Sequence, residues 1–184
     1  MGILAVTGDV GSGKSTAAHY LAEILGCPCI DADVLAKSLW DRPDIQARAI
    51  HRWGKEILGP DGKILTSKLA EHIFSAKSEH EFSCSLIHPI VMNELRQRAN
   101  GDIVLEIPLL PEAGRPEWID RAIYVTASFS VRAERCKVRG WDTDELKRRE
   151  SFLLPQAERM AVCEVIVRND GNIHELQLHL EEAT

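Results

Sequence analysis

The sequence predicts an α/β fold with three layers, in which a five-stranded parallel sheet lies between helices. Five short apolar runs alternate with helical patterns, which is typical of parallel strands joined by crossover helices. The first run leads into a glycine-rich loop and then a helix pattern. A chain of 184 residues with 45% hydrophobic content is long enough to bury the core of such a domain. Ligands of open parallel sheets bind beyond the carboxyl ends of the strands, so we expect the functional site at that edge.

The first strand, 3–6, is followed by a phosphate-binding pattern. Residues 8–15 read G-D-V-G-S-G-K-S and match G-x-x-x-x-G-K-S. The glycines let consecutive backbone N–H groups point at an anion, and the helix predicted over 15–25 adds partial positive charge at its N-terminus. The alternative is a glycine turn that binds nothing. The pattern favours a site for a di- or triphosphate.

The residues of this loop have separate expected roles. Lys14 is expected to reach the β- and γ-phosphates, and the Ser15 hydroxyl to ligate Mg²⁺, which prefers hard oxygen donors. Thr16 is either a further nucleotide contact or simply part of the helix. The nucleotide-binding candidates in this segment are Gly8, Gly11, Ser12, Gly13, Lys14, Ser15 and Thr16.

The second strand, 29–32, runs into two acidic residues, Asp31 and Asp33. We expect only one of the two carboxylates to face the phosphate site. A kinase of small molecules needs a carboxylate here to hold the acceptor hydroxyl and accept its proton. We expect Asp33 to do this, and its alternative role is to cap the helix that starts near residue 34. The chain lacks the D-x-x-G and N-K-x-D patterns of a GTP-dependent switch.

A helical insertion follows the second strand. Residues 34–100 contain about three amphipathic helix patterns and no strand pattern. Turn signals interrupt the helices at 59–62 and at His88-Pro89. We therefore expect a helical acceptor-binding lobe at 34–100, inserted into a nucleotide-binding core formed by 1–33 and 101–184.

The remaining strands are predicted at 103–109, 122–125 and 165–167. Between the last two, residues 129–151 form a helix, a glycine break and a second helix begun by a capping box at Asp142. Seven cations lie in this segment, a density that the rest of the chain does not match. This charge suggests a lid that closes over phosphates.

Composition argues against several classes of protein. A net charge of −6 disfavours a nucleic-acid or membrane-surface binder, which needs a broad basic footprint. Five cysteines without framework spacing are typical of reduced thiols. No apolar run approaches 18 residues and no charged leader precedes the first strand, so we expect a cytoplasmic protein without a membrane span. Its expected partners are small molecules, and no oligomeric state is predicted.

Six segments match the motifs of one kinase family. They are T-G-D-V-G-S-G-K-S-T at 7–16, I-D-A-D-V-L-A-K at 30–37, L-I-H-P at 86–89, I-P-L-L-P-E at 107–112, R-C-K-V-R at 135–139 and C-E-V-I-V-R-N at 163–169. In this order and spacing the chain resembles dephospho-coenzyme A kinases over nearly its whole length. The resemblance implies a nucleoside-monophosphate-kinase-like fold with a core, a coenzyme-binding lobe and a lid. It also implies transfer of the γ-phosphate of ATP to the ribose 3′-hydroxyl of dephospho-coenzyme A.

The resemblance implies roles for residues of the core and the lid. Asp33 would be the base or the anchor of the acceptor hydroxyl, and Asp31 would act through metal-bound water. Lys14 and the loop amides would stabilise charge on the transferring phosphoryl group. Arg139, and Arg135 one turn earlier, would close over the phosphates. The alternative for both arginines is a solvated basic helix face.

Other residues match positions that the family uses around the acceptor and the adenine. The acceptor-site candidates are His88, Pro108, Leu109, Leu110 and Glu112. A structural role before proline is the alternative for His88. Asn169 would border adenine, or would be a turn residue. Glu106 would help to hold Mg²⁺ through water, or would be a plain strand-end acid, and Arg148 or Arg149 would add a lid cation.

Three departures from the family pattern concern the acceptor side and the lid. Thr66-Ser67-Lys68 stands where the lobe often carries an arginine, Leu153 where the lid helix often ends in glutamine, and Gly140 where an aspartate follows the second lid arginine. These changes leave the ATP chemistry intact. They keep two alternatives open, an ATP-dependent kinase of another small hydroxyl metabolite and a non-catalytic ATP-binding regulatory module.

Overall fold

Five parallel strands form the sheet of this protein, in a computed structural model that describes residues 2–184. The strands are β1 (Ile3–Gly8), β2 (Cys29–Asp31), β3 (Ile103–Glu106), β4 (Arg121–Thr126) and β5 (Val165–Arg168). Their order across the sheet is β2-β3-β1-β4-β5, and every neighbouring pair is parallel. The predicted α/β fold with a five-stranded parallel sheet is therefore confirmed.

Helices connect the strands. Within residues 2–184 they are α1 (Lys14–Leu25), α2 (Ala32–Leu39), α3 (Pro43–Trp53), α4 (Thr66–Ile73), α5 (Lys77–Arg98), α6 (Leu110–Ala113), α7 (Phe129–Lys137), α8 (Thr143–Glu150), α9 (Gln156–Ala161) and α10 (Ile173–Ala183). A 3₁₀ turn spans Lys55–Ile57. No helix in this part of the chain combines the length and the apolar character needed to cross a bilayer.

The third strand is shorter than the sequence predicts. It ends at Glu106 rather than at residue 109. Ile107 still donates its N–H to the carbonyl of Val6 at 2.9 Å, but Pro108 has no N–H to continue the ladder, and α6 begins at Leu110. The strand therefore stops where its carboxyl end opens toward the site.

Two compact units make up the chain. The first comprises the chain up to Ala32 together with Leu95–Thr184, and it contains the whole sheet. The second, Asp33–Glu94, is helical, with one isolated antiparallel bridge between Leu58 and Ile64.

In the first unit, α1 packs on the sheet through small side chains. Ala17, Ala18, Leu21 and Ala22 are buried, and they lie on one face of the helix. Leu4 to Gly8 of β1 are buried as well, because β1 is the central strand. This packing fixes the direction of the chain as it leaves β1 and enters α1, which is where the phosphate-binding pattern lies.

In the second unit, the helix break expected at His88-Pro89 is wrong. Helix α5 continues through Pro89 without interruption. A proline inside a helix costs about 3 kcal/mol, but burying one large aliphatic side chain contributes about 1.5–3 kcal/mol. Leu86, Ile87 and Val91 are all buried on either side of the proline. Packing therefore outweighs the lost hydrogen bond, and four helices with one 3₁₀ turn replace the three helices expected for this insertion.

Candidate active site

The phosphate-binding pattern forms the loop between β1 and α1. Its conformation requires glycine at two positions, since Gly11 and Gly13 have φ angles of 76° and 89°. A Cβ atom on Gly13 would lie 2.5 Å from Nδ2 of Asn169, and one on Gly11 would lie 2.9 Å from the carbonyl oxygen of Arg132. Gly13 offers no side-chain cap to α1. The first N–H groups of α1 are thus left for an anion, as phosphate-binding loops require.

Ser15 and Glu106 meet at the edge of this loop. The Ser15 hydroxyl donates a hydrogen bond to Oε1 of Glu106 at 2.6 Å, and Glu106, the last residue of β3, is 3% exposed. In the sheet, Glu106 is in register with Asp31 of β2 and with Val6 of β1. Paired residues of neighbouring strands project to the same side, so Asp31 projects to the same side of the sheet as Glu106, which accepts the hydrogen bond from Ser15.

This donor set fits Mg²⁺. The ion takes hydroxyl, carboxylate and phosphate oxygens and keeps several waters, so one or two carboxylates with substrate phosphates suffice. Among the described residues no group of three or more His, Cys, Asp or Glu side chains could hold a metal ion. Ser15 is one of the two metal ligands expected from the sequence, and Asp31 is the second. For Glu106 the sequence leaves two roles open, holding Mg²⁺ through water or a plain strand-end acid. In the structure it is the acid that contacts Ser15.

Asn169 and Arg135 contact the phosphate loop from the other side. Asn169 is 6% exposed and donates from Nδ2 to the carbonyl of Ser12 at 2.7 Å. Arg135 donates from Nη1 to the same carbonyl at 3.3 Å and to the carbonyl of Asn169 at 2.9 Å. The structure therefore brings Asn169 to Gly13, and Arg135 does not lie on a solvated helix face.

Residues 129–151, for which the sequence predicts a lid, carry two arginines around one tryptophan. The guanidinium carbon of Arg139 lies 5.6 Å from the ring centroid of Trp141, and that of Arg149 lies 4.0 Å away. Asp142 caps α8 as the sequence predicts, because its side chain accepts from the N–H of Glu145 at 2.8 Å. Trp141 therefore contacts both the exposed Arg139 and Arg149. Glu145 forms ion pairs at 2.7 Å with both Arg148 and Arg149.

The acceptor-site candidates of the first unit follow β3. Pro108 and Leu109 form the connection to α6, and Leu110 is completely buried. Glu112 is half-buried, and its Oε1 accepts from the N–H of Leu154 at 3.2 Å. Its buried Oε2 has no hydrogen-bond partner among residues 2–184. Burial raises the pKa of Glu112 despite those backbone hydrogen bonds and the charge of Arg159.

The remaining candidates lie in the second unit. Asp33 is exposed and is the second residue of α2. Because that helix begins at Ala32 rather than near residue 34, Asp33 lies inside its first turn and is not the N-cap residue. His88 is half-buried in α5, and burial, followed by the charge of His80, lowers its pKa. A neutral imidazole can accept or donate a hydrogen bond but carries no charge for a phosphate.

Cys27 precedes β2 and Cys29 is its first residue, and both thiols have raised pKa values. Burial, followed by the charges of Glu106 and Asp31, raises the pKa of Cys29 to about 11. Burial, followed by the charge of Asp102, also raises the pKa of Cys27. The thiolate is the form that attacks or ligates a metal, and the raised pKa values favour the protonated thiols at neutral pH.

The sequence analysis assigns no role to Asp9. It occupies a variable position of the loop pattern, yet its carboxylate is completely buried and forms an ion pair with Arg159 of α9 at 3.0 Å. Tyr124 and Thr126 of β4 also donate to it. The only signal in the sequence is an acidic residue inside an anion-binding loop, and nothing local indicates its partners.

Comparison with known proteins agrees with this geometry. The family model for dephospho-CoA kinases matches residues 2–175. Dephospho-CoA kinase of Fusobacterium nucleatum is 32% identical over 179 residues, which covers 95% of this chain and 92% of that protein. The crystal structure of TT1252 from Thermus thermophilus has a TM-score of 0.75 at 28% identity, covering 99% of this chain and 95% of that one.

A second solved structure shares the fold. Dephospho-CoA kinase from Campylobacter jejuni has a TM-score of 0.66 at 20% identity, and the match covers 98% of this chain and 94% of that chain. An identity this low shows common architecture only. The family model matches far more of the chain, because it extends from residue 2 through the phosphate loop, the helical insertion and helices α7 to α9 into α10. Over that length, the protein is a member of the dephospho-CoA kinase family.

Proposed function

We propose that this protein transfers the γ-phosphate of ATP to the ribose 3′-hydroxyl of dephospho-coenzyme A, giving coenzyme A and ADP. The observation that carries the proposal is the phosphate loop with Ser15 hydrogen-bonded to Glu106 at the carboxyl edge of the sheet. This arrangement is suited to a nucleoside triphosphate with its metal. Membership of the family supports dephospho-coenzyme A as the acceptor.

Phosphoryl transfer depends mainly on positioning and on stabilisation of charge. Lys14 and the N–H groups at the start of α1 would bind the β- and γ-phosphates, together with Gly8, Gly11, Ser12 and Gly13 of the loop. Arg139, with Arg149 beside it on Trp141, would add positive charge as the lid closes. Arg135, which donates to the Ser12 carbonyl of the loop, would add positive charge beside the phosphates. Asn169 would border the adenine, and Thr16 would extend the phosphate contacts.

The acceptor hydroxyl needs a group that orients it and accepts its proton. We assign this role to Asp33, a carboxylate at the start of α2 that is exposed. His88, Pro108, Leu109 and Glu112 would surround the acceptor. The buried Leu110 would support Leu109 from the interior.

When bound, Mg²⁺ would supply positive charge that offsets the negative charge of the phosphates. The Ser15 hydroxyl would hold it directly, and Asp31 and Glu106 would orient its waters. Glu106 also keeps the Ser15 side chain in one orientation.

A substitution of Glu106 tests this assignment. Glu106→Gln is expected to raise the Mg²⁺ concentration that gives half-maximal activity by about 10–100-fold, the usual effect of removing a partner of a metal site. Glutamine still accepts the hydrogen bond from Ser15 but lacks the charge. The measurement is the rate of coenzyme A formation against Mg²⁺ concentration. Glu134→Gln, on the exposed face of α7, is the matched control. An unchanged Mg²⁺ dependence would remove Glu106 from the metal site.

The function itself is tested with purified protein, ATP, Mg²⁺ and dephospho-coenzyme A. Mass spectrometry is expected to detect ADP and coenzyme A in equal amounts. ADP without a phosphorylated acceptor would indicate an ATPase, and neither product would indicate a non-catalytic ATP-binding module. Both results would contradict the proposal.

A kinase of another small hydroxyl compound is the second candidate. It is favoured by Lys68, which stands where the family often has an arginine and which forms an exposed ion pair with Glu71 at 3.0 Å. Lysine supplies a point charge without the bidentate geometry of arginine. A panel of nucleosides and small hydroxy acids, assayed beside dephospho-coenzyme A, distinguishes the two candidates by the relative kcat/KM.

We also propose a cytosolic location and small-molecule partners only. The support is chemical, because none of the five cysteines, all of which lie in the described part of the chain, forms a disulfide. Reducing compartments keep thiols in this state. Burial raises the pKa of Cys163 to about 12, so this thiol also stays protonated.

A further inference from the structure

Asp9 is the second residue of the phosphate loop, and its buried carboxylate receives hydrogen bonds from two other elements. From β4, Tyr124 donates to Oδ1 at 2.7 Å and Thr126 donates to Oδ2 at 2.6 Å. From α9, Gln156 donates to Oδ2 at 2.8 Å, and Nη2 of Arg159 lies 3.0 Å from Oδ1. Both oxygens of one loop side chain are therefore held from outside the loop.

The backbone transmits this anchoring into the loop. Asp9 donates its N–H to the carbonyl of Val125 at 3.1 Å, and its own carbonyl accepts from the N–H of Ser12 at 3.2 Å. Ser12 is two residues before Lys14. A displacement of Asp9 therefore moves the segment that presents N–H groups and Lys14 to the phosphates.

Electrostatics explain why the carboxylate is paired. A negative charge beneath an anion-binding loop repels the phosphates, and repulsion is strong where water is excluded. Arg159 is 6% exposed and cancels this charge. Burial alone raises the pKa of Asp9, but the hydrogen bonds from Thr126 and Tyr124, the charge of Arg159 and the bond from Gln156 together lower it. Asp9 is thus ionised at neutral pH and depends on Arg159 for compensation.

Arg159 is itself fixed to the segment that follows the lid helices. Its Nε donates to the carbonyl of Leu154 at 3.0 Å, and the N–H of Leu154 binds Glu112 at 3.2 Å. Helix α9 begins six residues after α8 ends at Glu150. The phosphate loop is in this way hydrogen-bonded, through Asp9 and Arg159, to the chain that leads out of the lid.

We infer that Asp9 and Arg159 are positioning residues for ATP: the pair fixes the phosphate loop against α9, so that nucleotide affinity depends on the docking of α9. The inference deepens the proposed function and rests on it only in taking ATP as the ligand. A purely structural pair would contribute to stability alone, and folded variants would then bind nucleotide with unchanged affinity.

Three variants distinguish a positioning pair from a purely structural one. They are Asp9→Asn, Arg159→Gln and the double variant Asp9→Asn/Arg159→Gln. The Kd for ATP is measured by calorimetry, well below the Tm of each variant. Arg159→Gln is expected to raise Kd by about tenfold or more, because it leaves an uncompensated buried charge under the phosphates. The double variant is expected to recover a large part of that loss. Arg159→Lys, which keeps the charge, should lie close to the wild type.

Arg115→Gln is the matched control. Arg115 forms an ion pair with Glu164 at 2.5 Å in the same unit. This control should lower the Tm and leave the Kd for ATP unchanged. If Arg159→Gln fails to fold, Tyr124→Phe, which removes one donor to Asp9, should still raise Kd by about two- to fivefold.

The outcomes separate this inference from the proposed function. An unchanged Kd for ATP in folded Arg159→Gln overturns the inference even if the wild type makes coenzyme A. A raised Kd with recovery in the double variant supports it even if dephospho-coenzyme A is not phosphorylated. A wild type that binds no ATP overturns both.

Discussion

Replacement of Asp33 by asparagine is expected to lower kcat for coenzyme A formation by about 10²–10⁴-fold, the contribution of a general base. Asparagine keeps the size and the hydrogen-bonding oxygen of the side chain but cannot accept the proton of the acceptor hydroxyl. The KM for ATP should stay close to that of the wild type, because the phosphate loop is unchanged. The measurement is steady-state kinetics with each substrate varied in turn.

A matched substitution distinguishes the loss of the general base from the loss of a favourable interaction with the helix dipole. Asp44 lies in the first turn of α3, as Asp33 lies in the first turn of α2, and both are exposed. An acid in the first turn interacts favourably with the helix dipole, and its loss typically costs 0.3–1 kcal/mol. Asp44→Asn should therefore reproduce any effect on stability but not the loss of kcat. Equal activity of Asp33→Asn and the wild type would exclude Asp33 as the base.

Local patterns in the sequence were sufficient for the strands and the phosphate loop. A strand buried on both faces must be apolar throughout, so Ile3 to Val6 and Ile103 to Leu105 stand out from the polar helices around them. The loop is equally local, because its glycines and Lys14 are adjacent in sequence. Both predictions required only near neighbours along the chain.

Long-range packing explains what the sequence did not show. The sequence predicts a helix break at Pro89, but the helix continues through it. The local pattern does not show how much apolar surface Leu86 and Val91 bury on folding. The partners of Asp9 are farther away, with Gln156 separated from it by 147 positions. Glu106 is 91 positions from Ser15. The sequence predicts either that Glu106 helps to hold Mg²⁺ through water or that it is a plain strand-end acid, and only the register of β3 with β1 brings it to the loop.

Replacement of Lys14 by methionine is expected to have the second large effect, a loss of about 10²–10³-fold in kcat. The side chain would stabilise charge that develops on the transferring phosphoryl group, and methionine has similar length but no charge. The two residues also have similar helix propensities, so α1 should still form from its first residue. The measurement is coenzyme A formation at saturating ATP, with the Kd for ADP determined in parallel.

The control for Lys14 is a lysine at the same place in another helix. Lys77 is the first residue of α5, and its exposed side chain lies 4.0 Å from Glu81. Lys77→Met should leave kcat unchanged, because the charge of this exposed side chain is screened by water and salt. Lys14→Arg should restore only part of the activity, since a planar guanidinium does not replace a compact ammonium among backbone N–H groups. If Lys14→Met retains activity within threefold of the wild type, the helix N-terminus alone binds the phosphates, and Lys14 has no part in phosphoryl transfer.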